Sequence, residues 1–255
     1  MIELVSLSGL TAFVAVSFVV GAHILLLAAR TRQLPEVTIG ASLFLAGGVG
    51  TALSIAPQLI PDLAPATSHV LFQAGSLVSH VGFGLLFVFV WRVFRPREIW
   101  AAALFGGLLV ALFSGGIGMA VGHEPGGGLM GRDVRGDLWF WSSLGARFVG
   151  YGWAAFESFR YFGMLRKRLE LGLADEVLVA RFFHWGLCTS AVVVIWIAAA
   201  TQDLFAGRDG VVALAGLVTP LMGFVVAGTL WLAFFPKRRA GGGAGATSVG
   251  GGAAA

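Results

Sequence analysis

The sequence predicts an all-α polytopic membrane protein. The fold is a single-domain bundle of seven transmembrane helices, with the N-terminus outside and the C-terminus cytoplasmic. Three observations predict it. Hydrophobic residues make up 57% of the chain and charged residues 12%, and the mean hydropathy is +0.87, whereas an average soluble domain is roughly a quarter charged. A fold of 255 residues in water has no interior large enough to hide that apolar surface, so its solvent must be lipid. Seven stretches also reach the length of about 20 apolar residues that a bilayer crossing requires, and the basic residues between them fall almost entirely on one side.

The first stretch, 6–29, is too long for the apolar core of a signal peptide, and Met1-Ile2-Glu3 lacks the basic start of one. It is read as a retained helix ending at Arg30 and Arg32. The second, 37–56, carries Gly40, Gly47, Gly48 and Gly50, which let neighbouring backbones approach closely.

The third stretch, 67–91, carries His69, Gln73, Ser76 and His80, spaced by four, three and four residues and therefore on one helix face. This stripe descends from the outer surface toward the bilayer centre. It serves either as the wall of an outward-opening polar pocket or as hydrogen-bonding glue to a neighbouring helix.

The fourth stretch, 99–122, holds Gly118 and Gly122 as a GxxxG pair. The segment from His123 to Asp133 is glycine-rich but lacks the Gly-Lys-Ser/Thr ending of a phosphate cradle, so it is read as a plain outer loop.

The fifth stretch, 138–162, is the most charged. Arg147 lies about 12 Å below Trp139, inside the apolar span, where an ionisable side chain is costly and a candidate for function. Glu157 is about 15 Å further along the axis and out of direct reach. Arg147 is therefore expected to snorkel outward to Asp137, Asp203 or Asp209, or to meet a bound anion. Glu157 and Arg160, three residues apart, suit an intrahelical ion pair.

The connection from Arg166 to Arg181 is the longest on the cytoplasmic side. It is expected to continue the fifth helix, break at Gly172 and restart under the caps Asp175 and Glu176. It is also the expected contact for a cytoplasmic protein partner or for anionic membrane lipid. The sixth stretch is 178–201 and the seventh 211–235, with Pro220 predicting a kink in the latter. Residues 1–239 thus form the transmembrane domain, and the Gly/Ala-rich 240–255 is expected to be disordered.

The orientation follows from where Lys and Arg fall. The side reached after the odd-numbered helices carries Arg30, Arg32, Arg92, Arg95, Arg97, Arg166, Lys167, Arg168, Arg181, Lys237, Arg238 and Arg239, and the other side only Arg132, Arg135 and Arg208. The basic pI is therefore a topology signal, and nucleic acid is excluded as a partner. Basic pairs after the first and fifth helices, and the similar ends FRPR (Phe94 to Arg97) and FPKR (Phe235 to Arg238), fit either two parallel three-helix halves joined by the fourth helix or the general gathering of basic residues at cytoplasmic helix ends.

This topology resembles that of rhodopsins and seven-helix receptors, an architectural likeness that carries no function. The only lysines, Lys167 and Lys237, are cytoplasmic, so no retinal Schiff base is expected. Cys188 is the only cysteine, and His23, His80 and His184 sit at different depths, so no metal or haem site is assigned and cofactors stay open. No nucleophile–base pair or paired acids give a catalytic residue.

The leading functional expectation is a receptor-like or sensory module with a ligand pocket at His69, Gln73, Ser76, His80 and Arg147. A small-solute or proton-coupled transporter comes second, and a lipid-modifying or redox membrane enzyme third.

Overall fold

The computed structural model describes residues 2–60, 62–121, 136–205 and 209–235; within them the side chains of 2–7, 58, 203 and 209 are excluded. The loop from His123 to Asp133, the second glycine of the GxxxG pair (Gly122), Arg208, Lys237 to Arg239 and the tail 240–255 all lie outside the described residues, as do the side chains of Asp203 and Asp209.

The described residues form helices and no strands. In chain order these are α1 (Ile2–Thr31), α2 (Leu34–Ser42), a π-helical segment (Leu43–Gly50), α3 (Thr51–Leu59), α4 (Pro65–Phe94), α5 (Ile99–Val121), α6 (Leu138–Glu170), α7 (Glu176–Leu204) and α8 (Asp209–Phe234). Six spans are long and apolar enough to cross a membrane, with α2, the π segment and α3 together forming the second of them. The seventh is α6, whose Arg147, Glu157 and Arg160 make it the least apolar. Its 33 residues reach about 50 Å, more than the roughly 30 Å of hydrocarbon to be crossed.

Local chemistry sets the ends. Pro65 opens α4 in its first turn, where a missing N–H costs nothing. Asp137 caps α6 by accepting from the N–H groups of Trp139 and Phe140 at 3.0 and 3.3 Å. Gly172, at φ +70°, ends it: its N–H donates to the Leu169 carbonyl and that of Leu173 to Arg168, a pattern that needs a left-handed residue. Asp175 then starts α7 by accepting from the Val177 N–H at 2.7 Å.

The second span differs from a plain α-helix. Through Leu43–Gly50 the backbone widens to π geometry over Gly47, Gly48 and Gly50. Thr51 Oγ1 donates to the Ala46 carbonyl, five residues back, at 2.8 Å. Hydrophobic periodicity does not distinguish a π turn from an α turn, and such turns cluster at functional sites.

The spans pack in sequence order, and α8 returns to α1, closing a ring. Across the ring α4 also touches α6, which leaves α5 outside them. Two close approaches fix this arrangement. At Gly9 any Cβ would lie 2.6 Å from the Pro220 carbonyl oxygen, so α1 and α8 meet backbone to backbone. At Gly150 a Cβ would overlap the ring of Phe87, so α6 closes on the buried core of α4, which also holds Phe83, Leu86 and Val90.

Candidate functional site

The ring encloses a cavity of about 690 Å³. Six of the seven spans line it and α5 does not, so three spans from each half of the chain surround it. Along α4 the lining residues are Phe72, Ser76, Ser79, Phe83 and Leu86, spaced by four, three, four and three residues as one helix face requires. Along α7 they run from Trp185 to Gln202, the latter two residues from the end of the helix. The wall also takes in the π segment at Leu43, Ala46 and Gly47, and α8 at Thr219 and Pro220. Pro220 has no N–H to give to the Gly216 carbonyl, which loosens that wall.

Among the described residues Arg147 is the one charged side chain in this wall. Its guanidinium carbon lies 5.1 Å from the ring centre of Phe83 and 5.0 Å from that of Trp196, a cation held between two aromatic faces. Its Nη2 donates to His80 Nε2 at 3.1 Å. Its Nε is buried without a hydrogen-bond partner, as are the indole nitrogens of the cavity-lining Trp185 and Trp196. Among the described residues no carboxylate pairs with Arg147.

The expected outward reach to Asp137 is therefore not what forms, while the other two expected partners, Asp203 and Asp209, have side chains outside the described residues. Asp137 is already occupied as the cap of its own helix, and an aromatic clamp with an imidazole acceptor is within reach on α4 and α7.

His80 is buried, and its partners fix its proton. Nδ1 lies 2.6 Å from the Ser76 carbonyl, which can only accept, so Nδ1 carries the hydrogen. Nε2 faces Arg147, which can only donate, and so offers its lone pair; Ser143 Oγ lies 3.1 Å away on the same side. The ring is a neutral imidazole that joins α4 to α6. Gly116 of α5 makes room for it, since a Cβ there would stand 2.6 Å from Nε2.

The predicted stripe is thus divided. Ser76 and Arg147 line the cavity, and His80 stands behind Arg147 at the α4–α6 seam. His69 and Gln73 are not in the wall. At 3.6 residues per turn the stripe His69–Gln73–Ser76–His80 and the cavity face share Ser76 but otherwise lie on adjacent flanks of α4. Phe83, Tyr151, Trp185 and Trp196 complete the site and were not singled out from sequence. Trp185 and Trp196 are eleven residues apart, three turns along one face of α7, a spacing that a packed core also shows.

The other intramembrane groups lie elsewhere. His23 packs on Phe235 with ring centres 4.9 Å apart, and His184 bonds the Ala180 carbonyl. The thiol of Cys188 lines the cavity and forms no disulfide. Glu157 accepts from Arg160 Nη1 at 3.1 Å, the pair its spacing predicts, and also from Arg95 Nε at 2.6 Å.

No family model, curated protein or solved structure is similar to this chain.

Proposed function

We propose that this protein is a receptor-like or sensory membrane module that binds an organic anion with an apolar body in the cavity inside its helix ring. The observation that carries the reading is Arg147: a guanidinium in an aromatic cavity where, among the described residues, no carboxylate neutralises it. A volume of about 690 Å³ falls within the roughly 300–1,000 Å³ of small-molecule sites. The apolar wall suits a hydrocarbon or aromatic body, and Arg147, with its neutral His80 support, suits a carboxylate or similar acceptor. Among the described residues the wall has no carboxylate, and the fixed charge of Arg147 disfavours an organic cation. Signal would leave through the α6–α7 connection, where a cytoplasmic partner would meet Arg166 to Arg181.

A transport reading has its own support. The π segment and Pro220 place two irregular stretches of backbone in the cavity wall, a feature of helices that move around a central site.

The test uses purified protein in mild detergent with decanoate and 1-naphthoate as probes, read by tryptophan fluorescence and by native mass spectrometry. Saturable binding that Arg147→Met removes supports the reading. Binding that survives Arg147→Met, or a preference for decylamine over decanoate, overturns it. Uptake of radiolabelled decanoate into proteoliposomes, lost in the same variant, would select the carrier over the sensor.

A further inference from the structure

At the end of the bundle where α4 finishes, a second hollow of about 360 Å³ opens between that end and α6. It is independent of the central cavity, and three guanidiniums, those of Arg95, Arg97 and Arg160, contribute to its wall against one carboxylate, that of Glu98. This is the side on which the sequence gathers its Lys and Arg, the cytoplasmic side by the positive-inside rule.

Beneath the hollow lies Glu157, whose side chain is 0% exposed and which receives both Arg95 Nε and Arg160 Nη1. One carboxylate thus holds two cations side by side and neutralises one of them. In formal charge Glu98 offsets one more of the three arginines, so the group carries one excess positive charge. Arg95 is held from its other side as well: its guanidinium carbon stands 5.5 Å from the ring centre of Trp100. Its side chain keeps only 20% exposure, so its planar fork is fixed before any ligand arrives. Glu157 engages Nε of Arg95 and Nη1 of Arg160, which leaves the remaining N–H groups of both forks for another acceptor. Guanidinium forks match phosphate oxygens two at a time, and pre-ordering removes part of the entropic cost of binding. Basic hollows between membrane helices at the cytoplasmic face suit phospholipid headgroups.

We infer that Arg95, Arg97 and Arg160 form a phosphate-binding site at the cytoplasmic end of α4 and α6, ordered by the buried Glu157. The phosphate comes either from the headgroup of an anionic phospholipid or from free inorganic phosphate.

The full chain in mild detergent would be given short-chain phosphatidylglycerol, short-chain phosphatidylcholine, or inorganic phosphate against chloride of equal ionic strength. Native mass spectrometry reads retention of the lipid and melting temperature reads stabilisation, which rises with ligand that binds the folded state. Stoichiometric phosphatidylglycerol with a raised melting temperature, and neither with phosphatidylcholine, is the expected result. An equal rise with phosphate alone assigns the site to free phosphate.

Arg97→Gln, at an exposed position, should fold normally and lower retention about tenfold, the loss of one charge-assisted hydrogen bond. Arg166→Gln serves as the control, because Arg166 is exposed, pairs with Glu170 and lies outside the hollow. The inference fails if phosphatidylcholine binds as well as phosphatidylglycerol, if Arg166→Gln costs as much as Arg97→Gln, or if none of the three additions is retained or stabilises.

Discussion

Nη2 of Arg147 stands 3.1 Å from Nε2 of His80, and this contact, with Ser143 Oγ at the same nitrogen, joins α6 to α4 behind the wall of the central cavity. The imidazole can accept it only because its other nitrogen gives its hydrogen to the Ser76 carbonyl. The two side chains therefore act as one unit. In a double-mutant cycle of His80→Phe and Arg147→Met, read by decanoate binding, the effects should be non-additive by about 1–2 kcal/mol. Strict additivity would mean that His80 does not position Arg147.

Gly116→Ala should damage the same unit without touching it chemically. The added methyl would meet His80 Nε2 at 2.6 Å, and His80 is packed on all sides. A cost of about 1–3 kcal/mol in stability is expected, together with weaker decanoate binding. Gly107→Ala on the same helix meets open space and should be neutral or slightly stabilising. Thermal melting of the two variants side by side checks the contrast.

Glu157→Gln should be among the most destabilising single changes at the end of the bundle where α4 finishes. It leaves Arg95 and Arg160 facing each other without the carboxylate between them, and breaking a buried ion pair costs about 3–5 kcal/mol. Arg160→Gln should cost much less, because Arg160 is 52% exposed and Glu157 keeps Arg95. Equal losses in both variants would show that Arg95 contributes little to holding Glu157.

Trp196→Phe keeps an aromatic face for Arg147 but removes the indole. The change in tryptophan emission on adding 1-naphthoate should shrink strongly, while affinity falls only several-fold, in line with a cation–π contribution of about 1 kcal/mol. An unchanged emission response would place the probe away from Trp196.

Gly172→Ala tests the end of α6 in isolation. At φ +70° a side chain is strained whatever space surrounds it, so about 1–2 kcal/mol should be lost at a position that lines neither cavity. Ligand binding should not change.

The sequence by itself determined the class of fold, the spans and most helix ends. Each rests on local chemistry: runs of apolar residues of bilayer length, Asp137 and Asp175 able to cap their own helices, and Gly172 able to take a left-handed turn. The ion pair of Glu157 with Arg160 belongs to the same group, because three residues on a helix bring side chains together whatever surrounds them.

Only the tertiary structure decided which face of each helix looks inward. His69, Gln73, Ser76 and His80 form a correct helical stripe, yet the cavity face of α4 is rotated from it by about one residue, and only Ser76 belongs to both. That rotation is set by how α4 packs against the second span, α5 and α6, at backbone approaches such as Gly150 on Phe87. No period within a single helix encodes it. The partners of the charged groups were hidden for the same reason. Arg147 meets His80 from 67 residues away and Glu157 meets Arg95 from 62. Separations of that length become contacts only when the ring closes.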